Sequence, residues 1–211
     1  GFSMEDLRSE FAGVLIKEQA ALSPGIIMMF IAIGASLFLS GTNGIAAGAI
    51  SREGASAYLM KLYPYAFWKQ ILAKYAVACA FSLATPLILL IAFQYFLKFP
   101  MTLFIPAAVL SVLSVLVVNL LGLAADMAFP KIHWTSEQQA AKQNYNMLIE
   151  MFGSAIPAAF AIGLMYLAAT LSSGRFSIVF VTGCLALLIQ IAILGFIINK
   201  LTPRTLQRIS V

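Results

Sequence analysis

Five stretches of apolar residues, each long enough to cross a bilayer as a helix, constrain this chain more than any other feature. They lie near 25–48, 75–97, 101–125, 147–171 and 176–199. Roughly 20 apolar residues in an α-helix span the hydrocarbon layer of a membrane. Only 10% of the 211 residues are charged, against about 25% in soluble domains.

Alternating apolar and polar residues, the pattern of a transmembrane β-barrel, do not occur. α-Helices are then the remaining structure in which every backbone N–H and C=O group forms a hydrogen bond inside lipid. We therefore predict an all-α fold, a polytopic transmembrane bundle of about five spans that forms a single domain over residues 1–211. The connections 49–74 and 126–146 join its spans on one side.

The basic residues are distributed unevenly along the chain. Nine of the 13 lie in the connections 49–74 and 126–146 and in the tail after residue 199. Cytoplasmic loops of membrane proteins carry an excess of Lys and Arg. This distribution predicts cytoplasmic connections, a cytoplasmic C-terminus and an external N-terminus, and it explains the net charge of +5 without nucleic-acid binding. Residues 1–24 lack the pattern of a signal peptide, so we expect the chain to be a fragment of a longer protein.

The connection 49–74 has helical spacing in its first part. Ala55, Tyr58, Leu59 and Leu62 fall on one face of a short helix. Pro64 ends that helix, because the residue before a proline avoids the α conformation, and Pro64 also suits the first turn of the next helix. We predict an amphipathic helix that lies across the membrane face and leads into the second span.

Two interpretations of this helix remain open. It is either an interfacial anchor for anionic lipid or a docking helix for a cytoplasmic partner. Glu53 favours docking, because anionic lipid does not attract an acid, and Gly54 indicates a turn or a close approach, because glycine weakens a helix by about 1 kcal/mol relative to alanine. Aromatic residues cluster at the depth expected of lipid headgroups: Tyr63, Tyr65, Phe67 and Trp68.

The connection 126–146 shows a similar pattern. Pro130 interrupts the exit from the third span, and Trp134 is a candidate interface anchor. Thr135 followed by Gln138 fits a capping box, which predicts that a helix begins near Ser136 and continues into the fourth span. We expect the two connections to lie side by side beneath the bundle.

The segments NGIAAGAISREG, LMKLYPYAFWKQILAK and DMAFPKIHWTSEQQAAKQNYN, in this order, resemble bacterial ABC exporter permeases of the type-2 class. In that family an SREG box precedes a Lys, a Pro and a second Lys, and a later loop contains Asp, Pro-Lys, Trp, Glu and Lys-Gln-Asn. The matching positions here are Ser51, Arg52, Glu53, Gly54, Lys61, Pro64, Lys74, Asp126, Pro130, Lys131, Trp134, Glu137, Lys142, Gln143 and Asn144.

The resemblance covers roughly residues 41–151. His133 departs from it, since the family pattern has Asn there. Such permeases usually have about twice as many spans, so the chain resembles most of a C-terminal half.

The resemblance implies a pore-forming exporter subunit in a bacterial plasma (inner) membrane. Cytoplasmic ATP-binding subunits would grip both connections, with ATP and Mg bound to those subunits, and the other half of the permease or a second permease chain would complete the path in the bilayer. The residues that would couple to the ATP-binding subunit are Ser51, Arg52, Glu53, Gly54, Lys61, Lys131, Trp134, Glu137 and Lys142.

The sequence shows no catalytic motif. No phosphate-binding GxxxxGK[ST] and no zinc-binding HExxH occurs, so we predict neither an enzyme nor a cofactor or metal site in this chain. His133 has no second His or Cys nearby and is interpreted as an interfacial packing residue. Cys79 and Cys184 lie inside spans, where they act as small packing residues.

Polar residues are sparse within the predicted spans. Glu150 is the only ionisable one inside a span, about one turn from the predicted cytoplasmic end. It shares a helix face with Lys142 and Asn146, which predicts a network at the cytoplasmic rim. Asn119 and Asp126 share a face of the third span, and Asn119 is expected to form an interhelical hydrogen bond. Ion-coupled carriers usually need a charged site near the midplane, so the pattern favours an external energy source.

Two rows of small residues predict close helix packing. Gly44 and Gly48 form a GxxxG pattern, and Ala155, Ala159 and Gly163 form a row on the fourth span. Two functions other than export stay open: a membrane scaffold or accessory protein whose basic interfacial helices bind anionic lipid, and an intramembrane enzyme. The apolar spans would suit a lipid-like or peptide cargo.

Overall fold

The computed structural model describes residues 22–98, 100–134 and 145–209. Within these ranges the chain is helical and contains no strand. The helices are α1 (Pro24–Gly41), α2 (Leu59–Leu62), α3 (Phe67–Leu97), α4 (Met101–Ala128), α5 (Tyr145–Gly153), α6 (Ala155–Leu171) and α7 (Phe176–Arg208). Two 3₁₀ segments, Ala46–Gly48 and Ser51–Tyr58, lie between α1 and α2.

The predicted all-α bundle with five spans is confirmed. Five helical stretches of the described chain are long and apolar enough to cross a membrane, with α5 and α6 counted as one. Large apolar side chains cover the outside of the bundle, as Ile88, Phe160 and Ile193 illustrate. A soluble protein would bury such side chains, so the chain is a multi-pass membrane protein. The side of the membrane on which each terminus lies stays a prediction.

Helix α4 forms the centre of the bundle and packs against α1, α3 and α7. The main core joins Ile33 of α1, Leu110 and Val117 of α4, Met165 of α6 and Leu187 of α7, all fully buried. Lipid tails are as apolar as this core, so van der Waals packing and interhelical hydrogen bonds hold the helices together.

The first span ends earlier than the predicted residue 48. The α-helix stops at Gly41, and Thr42 Oγ1 donates to the Leu39 carbonyl at 2.7 Å. Asn43 Oδ1 then accepts the Ile45 N–H at 2.9 Å, and Gly44 adopts φ +60°. These side-chain bonds compete with the helix, so the chain turns and continues beneath the bundle.

Two other spans extend beyond their predicted bounds. Helix α3 begins at Phe67, before the apolar stretch at 75 and close to the helix start predicted at Pro64, and α7 continues to Arg208 rather than 199. Their extensions meet in a second buried cluster, where Phe67 and Ile71 pack with Ile209. This packing among protein segments extends both helices past the stretch that apolar composition alone indicates.

The fourth span is divided into two helices at Ser154, close to Pro157, a residue type that indicates a kink within a span. Pro157 has no N–H to donate to the Gly153 carbonyl, so one backbone hydrogen bond of the helix is missing there. The Ser154 hydroxyl donates to the Met151 carbonyl at 2.6 Å, and the Ser154 carbonyl accepts the Ala158 N–H at 3.1 Å. Helix α6 therefore restarts at Ala155.

Candidate functional site

The SREG segment lies in a structured element, the 3₁₀ segment Ser51–Tyr58 followed by α2. Gly54 divides the 3₁₀ segment with φ 54° and ψ −133°, a conformation that glycine adopts much more readily than other residues. A Cβ atom at Gly54 would lie 2.6 Å from Cζ2 of Trp134. Both the backbone conformation and the contact with Trp134 therefore require glycine at this position.

Asp126, at the end of α4, holds the beginning of this element. Its side chain is fully buried. Oδ2 accepts the backbone N–H groups of Ile50 at 2.6 Å and Ser51 at 3.0 Å. Oδ1 accepts the Ser51 hydroxyl and, at 3.0 Å, Nδ2 of Asn146. Four donors thus surround one carboxylate and fix the element to the central helix.

Ser51 also connects the two charged connections to each other. Its hydroxyl oxygen accepts the Lys131 N–H at 2.9 Å, and its carbonyl accepts Nε1–H of Trp134 at 2.9 Å. The prediction that the two connections lie side by side is confirmed for the described residues. The Trp134 ring also packs on Gly54, so the contacts of Trp134 in the structure are with other residues of this chain.

Arg52 and Glu53 have partners within the chain as well. Nη2 of Arg52 donates to the Gly44 carbonyl at 3.1 Å, and Glu53 forms an ion pair with Lys74 at the start of α3. Both side chains of the pair are partly exposed, 39% for Glu53 and 26% for Lys74. The acidic residue that favoured docking therefore already has a basic partner in this chain.

Gly44 and Gly48 do not form a helix-packing GxxxG face. Gly44 lies in the turn after α1, where a Cβ atom would come within 2.9 Å of the Met147 side chain. Gly48 lies in a 3₁₀ segment, where a Cβ atom would come 2.9 Å from Nε of Arg52. The α-helix that would align the two glycines ends before them.

The apolar face predicted for the helix of the first connection points away from the protein. The buried residues of this element are Ser51, Gly54, Ala57 and Met60. Tyr58 is 52% and Leu62 72% exposed. We call the outward surface the docking face, defined as Ala55, Tyr58, Lys61 and Leu62, of which each member is exposed.

The remaining predicted coupling residues are only partly described. Lys131 and Trp134 lie beside Ser51, as stated above. Glu137 and Lys142 lie outside the described residues, as does the predicted helix start near Ser136. Asn146 lies on α5, where its amide also donates to the Phe129 carbonyl at 2.9 Å.

A polar link inside the bundle confirms the interhelical hydrogen bonding expected of Asn119 and adds partners that the sequence did not predict. The amide of Asn43 donates to the Ser82 hydroxyl, which in turn donates to Oδ1 of Asn119 at 3.1 Å. Ser40 Oγ donates to the Ser82 carbonyl at 3.2 Å. The only signal was the presence of polar residues in apolar helices, and interhelical bonds of this kind contribute roughly 0.6 to 2 kcal/mol each.

The side chain of Glu150 points into the bundle, and its predicted network at the cytoplasmic rim stays a prediction. Its side chain is fully buried, and Oε2 accepts the Ala47 N–H at 3.3 Å. Gly122 of α4 leaves space for the carboxyl group, because a Cβ atom there would lie 2.4 Å from Glu150 Cδ. Lys142, the predicted partner, lies outside the described residues.

No protein-family model matches the sequence, and no curated protein and no solved structure is significantly similar to it. The resemblance to ABC exporter permeases therefore depends on the motif residues alone. Among the described residues, no group of three His, Cys, Asp or Glu side chains is arranged to hold a metal ion. The site is thus a polar junction between helices with an exposed face.

Proposed function

We propose that the chain is a membrane-spanning component of an ATP-driven exporter and that its docking face receives a cytoplasmic ATP-binding subunit. One observation supports this most: the element Ser51–Leu62 is fixed to α4 through Asp126 and yet exposes its other face. A force applied to a flexible loop would only bend the loop. A force applied to this element passes to the central helix of the bundle.

The chemistry of the docking face suits a protein partner. Tyr58 and Leu62 offer apolar surface, and Lys61 and Arg52 place positive charge beside it. Tyr and Arg are enriched among the residues that dominate interface energies. The matching surface is an apolar groove with acidic residues at its rim. ATP and Mg would be bound by that partner, and this chain would form part of the translocation path.

Helix α6 offers a surface for the other half of the permease or a second permease chain. Ala155, Ala159 and Gly163, the small residues predicted to pack closely, are exposed on its outer face. A Cβ atom at Gly163 would meet no atom within 4 Å. Small residues let two transmembrane helices approach closely, so this row is the proposed contact.

The test isolates the full-length protein from its native membrane together with any ATP-binding subunits that co-purify with it. We expect Lys61→Glu and Leu62→Glu to reduce co-purification of those subunits and substrate-stimulated ATP hydrolysis. Both positions are exposed, so folding should be unaffected. Lys98→Glu, at the opposite end of α3, is the matched control. Unchanged co-purification and hydrolysis in both variants would contradict the proposal, as would ATP hydrolysis by the purified chain alone.

A membrane scaffold that binds anionic lipid is the second candidate. Tyr63, Tyr65 and Trp68 are more than half exposed around the start of α3, and the Lys69 ammonium lies 5.7 Å from the Trp68 ring centre. Aromatic and basic residues in this arrangement suit a headgroup layer. This function is favoured if Trp68→Ala and Lys69→Ala weaken binding to anionic vesicles while Lys61→Glu leaves ATP hydrolysis unchanged.

A further inference from the structure

The two buried acids at this end of the bundle have very different surroundings. Asp126 receives four hydrogen bonds, two on each oxygen. Among the described residues, Glu150 accepts a single hydrogen bond, which the Ala47 N–H donates to Oε2 at 3.3 Å. Its Oε1 is buried and has no hydrogen-bond partner in the described part of the chain.

Within the part of the chain that the structure describes, the charged and titratable groups around Glu150 do not compensate for this. Arg52 of the 3₁₀ segment is the nearby cation, but it forms no ion pair with Glu150 and donates to the Gly44 carbonyl. Asp126 of α4 adds a like charge. Helix α3 contributes the thiol of Cys79, and α1 and α6 carry no Asp, Glu, His, Lys or Arg.

We propose that Glu150 is a proton-binding site and that it is a neutral carboxylic acid at neutral pH. An ionised carboxylate is costly to bury unless it is paired and hydrogen-bonded. Asp126 meets the second requirement with four donors, whereas Glu150 has no ion pair and only one hydrogen bond among the described residues. One proton on Glu150 removes the uncompensated charge and the repulsion from Asp126.

A small metal cation is the alternative occupant, and the geometry disfavours it. Cations such as Na⁺ or Ca²⁺ need several oxygen ligands, and both oxygens of Asp126 already accept two hydrogen bonds each. The carboxyl group of Glu150 lies directly on Gly122, since a Cβ atom there would be 2.6 Å from Oε1. The space beside Oε1 is therefore closed on the α4 side.

The proton would act on the element that precedes the docking face. The N–H of Ala47 donates a hydrogen bond to Glu150. A few residues later, the N–H groups of Ile50 and Ser51 donate to Asp126. Loss of the proton would place two negative charges next to this short stretch of backbone. The proposal does not depend on the exporter function, because it concerns only the state of this side chain.

The test is infrared difference spectroscopy on the full-length protein in lipid nanodiscs at neutral pH. We expect a carbonyl stretching band of a protonated carboxylic acid that is lost completely in Glu150→Gln. Glu53→Gln is the matched control, because Glu53 is partly exposed and paired with Lys74, and it should leave the band unchanged. Raising the pH of the parent protein should convert the band into carboxylate bands.

Three results would overturn the proposal. The first is a parent spectrum without a protonated carboxyl band at neutral pH, which is decisive even if Glu150→Gln does not fold. The second is a band that persists in a folded Glu150→Gln variant. The third is a band that disappears when sodium replaces choline at constant ionic strength, because a cation would then be the occupant.

Discussion

Gly54 combines two independent constraints in one residue. Its φ of 54° lies in the region that favours glycine, and its missing Cβ makes room for the Trp134 ring. We expect Gly54→Ala to destabilise the protein by about 1 to 3 kcal/mol from backbone strain alone, in addition to the contact with Trp134. Thermal unfolding in detergent measures the change, with Gly195→Ala as a control whose Cβ atom would meet nothing within 4 Å.

The two contributions at Gly54 are separable in one further variant. Trp134→Ala removes the ring but not the backbone conformation, so Gly54→Ala should cost less in that background and still cost something. An equal loss of stability for Gly54→Ala with and without Trp134 would contradict the contact. No loss in the Trp134→Ala background would contradict the strain.

Gly122 leaves the space that the Glu150 carboxyl group occupies. A Cβ atom at Gly122 would overlap the Glu150 carboxyl group at 2.4 Å, so Gly122→Ala should displace that group and lower the melting temperature. Residues in contact show non-additive effects of about 0.5 to 3 kcal/mol, so Glu150→Ala should largely abolish the cost of Gly122→Ala. Gly195→Ala is again the control, because its Cβ atom would meet nothing within 4 Å. Strictly additive losses would contradict the contact.

At the scale of elements, the ion pair between Glu53 and Lys74 ties the 3₁₀ segment to α3. Exposed pairs contribute about 0.2 to 1 kcal/mol, so we expect Glu53→Ala to have a small effect on stability. The charge-swapped double variant Glu53→Lys with Lys74→Glu should match the parent protein in stability and transport, because the two side chains can again form an ion pair within the chain.

The same double variant separates an internal role of Glu53 from a role in docking. A stable swapped protein that still fails to transport would show that Glu53 also meets the partner, as the family resemblance implies. Glu53→Ala alone does not make this distinction, since it breaks the internal pair and any external contact together. Melting temperature and substrate-stimulated ATP hydrolysis are the two readouts.

The sequence predicted the elements better than their junctions. Long apolar runs predict α3, α4 and α7 because crossing lipid requires them. The end of α1 at Gly41 depends on side-chain bonds of Thr42 and Asn43 that helical periodicity does not detect. The bonds between Ser51 and Asp126 join residues far apart in the chain, and helical periodicity in a single sequence contains no signal for such pairs.

At the scale of the whole molecule, the three basic segments meet at one end of the bundle. Met60 of the first connection and Ile209 of the tail are buried in the same cluster, and Thr205 Oγ1 donates to the Met127 carbonyl at 3.1 Å. Arg208 donates to the carbonyl of Ala128, next to the second connection. Charge and packing thus agree that these segments share one side.

That side is predicted to be cytoplasmic, and single-cysteine labelling of the full-length protein tests it. In a background without Cys79 and Cys184, a cysteine at the exposed Ser56 should react with an impermeant reagent only after cells are opened. A cysteine at Ser173, exposed in the turn between α6 and α7 at the opposite end, should react in intact cells. Because Lys and Arg are retained on the inner side, labelling at position 56 from outside would reverse the topology and with it the assignment of the docking face to a cytoplasmic partner.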